Sequence, residues 1–257
     1  MSRVLAVSAL TAVLFACGPD QTVQELEVGM ATASAIGRTT SLALEGMKAT
    51  TPCATVTKAC TTFPCDGAVS ISLSAGCPLF IGGEASGSVT VSGQWTSLDE
   101  ASLTSELTDV KATAAQNGVA VAKVTTVRVQ RQGNEVSIRY TGSNATARGG
   151  FGASSVAAAN TWDIVVDTKG TTDPADDDVT IDASSAGGSA GLGATAKVVN
   201  LNNVKVTSAC RLNPVAGTAD VVEVSGVIPK IVEVEFHATC DGKAEVNGSP
   251  HQLNFFP

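Results

Sequence analysis

Gly187-Gly188-Ser189-Ala190-Gly191 has the G-x-S-x-G spacing of a nucleophile elbow, in which a bend between a strand and a helix lifts a serine for attack. Asp220, His237 and His251 lie downstream, so a Ser–Asp–His order can be drawn. The chemistry needs a helix directly after the bend, but the residues after Gly191 are LGATAKVVNLNNVKV, which read as strand. A Gly/Ser-rich loop meets the spacing by composition alone, and a serine hydrolase using Ser189 stands only as an alternative. Gly191, Gly193 and Ala196 similarly imitate a dinucleotide fingerprint, but that motif works only inside a βαβ unit, which the sequence lacks. His237 has odd parity on a strand whose even residues are apolar, so it should face outward, and His251 comes just after the turn Asn247-Gly248-Ser249-Pro250. No carboxylate pair is placed for glycosidic work. The sequence therefore assigns no catalytic residue.

Metal chemistry has one candidate segment, DTKGTTDPADDDVTID. Asp173, Asp176, Asp177 and Asp178 crowd a Pro-containing turn and could give a structural calcium several of its oxygen ligands. The EF-hand glycine and terminal glutamate are missing, and a solvated acidic turn explains the same residues. No cofactor is otherwise implied.

The chain has 7 cysteines, and setting Cys17 apart leaves Cys53, Cys60, Cys65, Cys77, Cys210 and Cys240. An even number in an exported chain reads as a disulfide framework. Cys60 and Cys65 lack the tight Cys-x-x-Cys knuckle of a zinc site, and no histidine is near. Spacing predicts two bridges inside the 53–77 cluster and a third joining Cys210 to Cys240, worth ~3–4 kcal/mol by loop-closure entropy. Cys77, Cys210 and Cys240 are each in phase with the apolar residues of a preceding strand, which predicts coreward thiols at strand ends.

The N-terminus points to export. Arg3 precedes an apolar run, Val4 to Phe15, with small Ala16 before Cys17: the layout of a secretory signal peptide, too short to span a bilayer. Leu14-Phe15-Ala16-Cys17 resembles the lipobox of bacterial lipoproteins, Phe15 departing from the usual small or β-branched residue. The resemblance covers this peptide alone. It implies removal of residues 1–16, acylation of Cys17 and anchoring by acyl chains, since two or more hold a protein stably at a membrane. Gly18 stands where an aspartate often marks inner-membrane retention in that family, which implies the outer membrane.

These features need elements to position them. Over residues 21–47, Val23, Leu26, Met30 and Ala33 recur at helical spacing, with Asp20 as a candidate cap, so 17–48 reads as a lipidated tether or an amphipathic helix. From residue 49 the period becomes two. Val69, Ile71 and Leu73; Val89, Val91 and Trp95; Val127 and Val129; Val136, Ile138 and Tyr140; and Trp162, Ile164 and Val166 each share one face of a strand. Gly118 to Arg131 is too long for one ordinary strand, which predicts either a bulge or long sheet arms. The Gly-rich stretches 142–155 and 183–193 read as loops.

The expected fold is all-β, an antiparallel β-sandwich or strongly curved open sheet with a short N-terminal helix or tether, and 49–257 form one disulfide-stapled domain. A net charge of −8 and pI near 4.7 argue against a nucleic-acid partner. Aromatic residues at 4% argue against a membrane β-barrel with aromatic girdles. The function expected is non-enzymatic: an envelope lipoprotein, lipid-anchored to the outer membrane, that presents its β domain to a protein partner or for assembly. A carrier of lipid or another apolar ligand in a β cavity is the alternative.

Overall fold

Pro19 opens a helix of 30 residues, α1 (Pro19–Lys48), about 45 Å long. Proline suits a first helical position because its missing N–H would have had no partner there, and Asp20 sits inside the first turn, where the helix dipole favours acidic residues. The computed structural model describes residues 19–48, 50–57, 60–78, 80, 84–107, 111–112, 121–149, 152–184, 188–190, 196–211, 213–224 and 229–253. The lipobox, the two flanking glycines of the serine motif and residues 118–120 lie outside them.

Among the described residues, fifteen strands follow α1, all in one sheet. They are β1 (Ala54–Thr57), β2 (Cys65–Pro78), β3 (Glu84–Trp95), β4 (Glu100–Leu107), β5 (Lys111–Ala112), β6 (Val121–Gln132), β7 (Glu135–Gly149) and β8 (Gly152–Asp167) in the first part. Then come β9 (Asp178–Ser184), β10 (Gly188–Ala190), β11 (Ala196–Val206), β12 (Ala216–Val224), β13 (Lys230–Phe236), β14 (Lys243–Val246) and β15 (Ser249–Gln252). The order is β1-β2-β3-β4-β6-β7-β8-β9-β11-β12-β13-β14-β15, with β5 beside β3 and β10 beside β8, and every pairing is antiparallel. The architecture is thus a single open sheet rather than a two-sheet sandwich.

The face expected from alternation on β2, β3, β6, β7 and β8 is the buried one. Val69, Ile71, Val91, Trp95, Val127, Val129, Val136, Ile138, Tyr140, Ile164 and Val166 belong to one continuous apolar core. The same core takes in Val23, Leu26, Met30 and Ala33 of the helix, so this segment docks into the domain instead of hanging from it as a tether. From Gly37 to Met47 each successive residue is buried, which covers every side of the helix. A flat sheet cannot enclose a helix in that way. β1 to β4 and β6 to β8 all contact α1, and the sheet curves around it. Two glycines let it close. A Cβ on Gly46 would come within 2.2 Å of Val56, and one on Gly37 within 2.9 Å of Phe80 and 3.0 Å of Ile164. The residues that weaken the helix by propensity are those that admit the wrapping strands.

Other expectations need correction. Residues 142–149 and 152–155 are not a loop. They are the distal halves of β7 and β8, in register from Ser143 opposite Ala158 to Gly149 opposite Gly152. Small polar residues signal a turn only when the backbone lacks ladder partners, and here each strand supplies the other's. Residues 188–190 likewise form β10. In its described part, from Val121 onward, the long segment has both of the alternative remedies: the β4–β6 register slips between Leu103 and Ser105, and β7 and β8 extend to 15 and 16 residues. On β11 a bulge at Asn202 and Asn203 (φ 51°) turns the alternation over, so that Leu201, Val204 and Val206 are all buried despite unlike parity.

Three disulfides are present: Cys53–Cys77, Cys60–Cys65 and Cys210–Cys240. Cys77 and Cys210 are buried, but Cys240 is exposed. β13 ends at Phe236, so strand parity no longer governs Cys240. Buried Asn213 shapes this C-terminal bridge, donating to Pro214 O (2.8 Å) and Thr239 O (3.1 Å) and accepting from Gly242 N–H (3.0 Å).

Candidate functional site

α1 packs against β1 to β4 and β6 to β8, and the opposite face of β4, β6, β7 and β8 is open. There the outward residues of β4, β6, β7 and β8 line an open trough of about 540 Å³. Alternation produces it: the residues between the core positions face out, giving Ser102 on β4, Arg128 and Gln130 on β6, Ser137 and Arg139 on β7, and Asp163 and Val165 on β8. Arg128 is the direct cross-strand partner of Arg139. Like charges so placed repel. Asp163 answers only one of them, accepting from Arg139 Nε at 2.7 Å and Nη2 at 3.0 Å. That hydrogen bond holds the exposed Arg139 guanidinium above its ordinary pKa. Arg128 faces Ser102 on its other side, and no carboxylate among the described residues pairs with it. Glu100 and Thr96 also line the trough. Small hydroxyls beside a guanidinium that no described carboxylate pairs with directly suit a polar, anionic group, with Glu100 a second carboxylate in the lining.

The described residues of the serine motif form a strand, not an elbow. Ser189 is a strand residue on β10 opposite Val156, and no helix succeeds it among the described residues. Asp220 lies on β12 opposite Glu233, and His251 on β15 opposite Ala244. The three occupy separate strands.

The acidic turn is taken apart by the fold. Asp173 accepts from the Ala175 N–H as an Asx turn. Asp178 accepts from the Ser208 N–H at 2.7 Å and pairs with Lys169 at 2.9 Å. Burial raises its pKa, but the Ser208 amide and Lys169 outweigh this and leave it below the ordinary value. Asp177 turns inward to Arg38. Asp176 stays exposed. The carboxylates of Asp173, Asp177 and Asp178 are engaged in different directions, and among the described residues the group that brings ligand atoms together is Glu235, His237 and Glu245.

The residue pattern along the chain did not point to the interior charge cluster. Arg38, wholly buried on α1, donates to Asp177, to Pro78 O from Nε (2.8 Å) and to Pro174 O from Nη2 (2.8 Å), with its guanidinium 4.1 Å above the Phe80 ring. One side chain therefore joins the helix, the end of β2 and the β8–β9 turn. Burial lowers its pKa to about 10 and raises that of Asp177, so for both partners desolvation exceeds the attraction. Glu45, seven residues on, accepts from Ser41 Oγ at 3.0 Å and lies 3.5 Å from Arg131; burial first, then the Asp177 charge, raises its pKa. The available signal was Arg38 and Glu45 standing alone among small and apolar residues in SAIGRTTSLALEG. Charges inside such a run need partners.

No family model, curated protein or solved structure matches this chain.

Proposed function

We propose that this chain is a non-enzymatic envelope lipoprotein, anchored through Cys17 to the outer membrane, whose sheet presents a binding face to an anionic partner. The trough around Arg128 carries the reading: it is an open, polar concavity with one guanidinium that the described residues leave unmatched. The lipobox-like Leu14-Phe15-Ala16-Cys17 and the three disulfides support an exported, anchored chain. No helix among the described residues is long and apolar enough to cross a membrane. An apolar-ligand carrier would need the concave side of the sheet as its cavity, and α1 occupies that side.

Two measurements test the proposal. Intact mass of protein extracted from native envelopes should show an acylated N-terminal Cys17 and three disulfides; an unacylated mature N-terminus overturns the anchor. A photo-cross-linker at Ser137, at the trough, should trap a discrete partner in intact membranes. Arg128→Glu should abolish that adduct while leaving the circular dichroism spectrum unchanged. An adduct indifferent to Arg128→Glu rules the trough out as the binding face.

A further inference from the structure

Glu235 on β13 and Glu245 on β14 are direct cross-strand partners. His237, directly after the end of β13, lies two residues beyond Glu235 and is partly exposed. One ligand atom from each of the three lies within 4.8 Å of the others. The His237 Nε2 to Glu245 Oε1 distance is 3.6 Å, beyond hydrogen-bond reach. Although the imidazole as a whole is 39% exposed, that nitrogen is shielded from solvent and has no hydrogen-bond partner among the described residues. Two destabilising features thus meet at one point: carboxylates directly opposite each other and a shielded ring nitrogen left unsatisfied. The flanking strands do not relieve them. Thr218 of β12 stands opposite Glu235, and Pro250 of β15 stands opposite Glu245.

We propose that Glu235, His237 and Glu245 form a surface site for a first-row divalent metal ion, Zn²⁺ in particular. Imidazole nitrogen and carboxylate oxygen both bind Zn²⁺ at about 2.0–2.2 Å, which makes the edge of a tetrahedral site ~3.3–3.5 Å. The observed 3.6 Å is nearly that edge, and rotation of the partly exposed glutamates closes the remainder. Calcium is a poorer match, because it takes six to eight oxygens and no imidazole. Three protein ligands leave the fourth position to water. The ion neutralises the facing carboxylates, satisfies His237 and ties β13 to β14.

The full-length protein, solubilised in detergent and stripped with a chelator, is titrated with Zn²⁺ against a chromophoric competitor. One saturable site is expected, with an imidazole and carboxylate oxygens in the zinc X-ray absorption spectrum. His237→Ala and Glu245→Gln should each weaken binding at least ~10-fold, since loss of even an outer-shell contact to a metal ligand commonly does so. His251→Ala, which removes the only other histidine, should bind as the parent does. Circular dichroism and intact mass establish that each variant keeps its fold and three disulfides; His237→Asn replaces any alanine variant that does not. No saturable zinc uptake by the parent protein, equal uptake by all variants, or loss only in His251→Ala would each overturn the proposal.

Discussion

Arg38→Met offers the sharpest test of how the sheet is held around its helix. The substitution keeps the aliphatic stem but removes a charge that is 0% exposed, opposite an Asp177 carboxylate that is 2% exposed. Breaking a buried pair by removing one partner costs ~3–5 kcal/mol. The carbonyls of Pro78 and Pro174 lose their donor as well, which adds ~1 kcal/mol or more each where no water reaches them. Arg211 also donates to Pro174 O, at 3.2 Å, and softens that second loss. A total near 5 kcal/mol corresponds to a fall in Tm of ~10–20 °C for a chain of this size. Asp177→Leu alone leaves the guanidinium buried without its counter-ion and should cost ~3–5 kcal/mol. The double variant should cost only ~2–4 kcal/mol, because both desolvation penalties vanish and mainly the orphaned carbonyls remain. The opposite pKa displacements, Arg38 down and Asp177 up, say the same: burial costs both partners more than pairing returns. Urea unfolding with the disulfides oxidised measures all three variants, read as midpoint shifts at constant slope. The expected coupling is ~3 kcal/mol or more, far outside the ~0.5 kcal/mol of independent sites. Simple additivity would show that Arg38 acts through its contact with Phe80 and its backbone bonds, and the ion-pair reasoning would fail.

Gly46→Ala, which by helix propensity should stabilise by ~1 kcal/mol, should instead destabilise by ~1–3 kcal/mol in thermal melts, because the new methyl meets Val56 at 2.2 Å. Replacing Cys210 and Cys240 by serine opens a loop of sequence separation 30 and should lower unfolding free energy by ~3–4 kcal/mol in denaturant titration. Asn213→Ala should cost ~2–4 kcal/mol by the same assay, since it strands the Gly242 N–H and Thr239 O beside that bridge. Glu45 has a folded-state pKa raised above its ordinary 4.5, so the native state holds its proton longer than the unfolded chain does. Its contribution is complete below the unfolded value and is lost as pH rises through the folded one. The Tm of Glu45→Gln minus that of the parent should therefore increase with pH from about 4.5 upward; a flat difference would contradict the shift.

Much of the fold arises from local pattern. Alternation identified the core faces of β2, β3, β6, β7, β8 and β13 because a strand with one dry face must place an apolar side chain at every second position. The helical spacing of Val23, Leu26, Met30 and Ala33 located α1 for a related reason. Cysteine spacing pointed to Cys210 with Cys240, since two thiols remote from a local cluster have each other as nearest chain neighbours.

Other features depend on residues that only the folded chain makes neighbours. Whether 142–149 and 152–155 are loop or paired strands depends on which backbone donates to which, and composition does not carry that. The Asp173–Asp178 run looks like one anionic cluster along the chain, but the fold sends Asp177 inward to Arg38 and Asp178 outward to Lys169. The same holds for Arg128 beside Arg139 and for Glu235, His237 and Glu245, each assembled across a strand pair. The sequence by itself determined that alternating segments would form strands with one dry face. The tertiary structure decided that this face would wrap a helix, and which charges would meet inside it or across its outer surface. Periodicity is a property of neighbours along the chain, whereas register and curvature are settled by packing and hydrogen bonding between segments far apart in it.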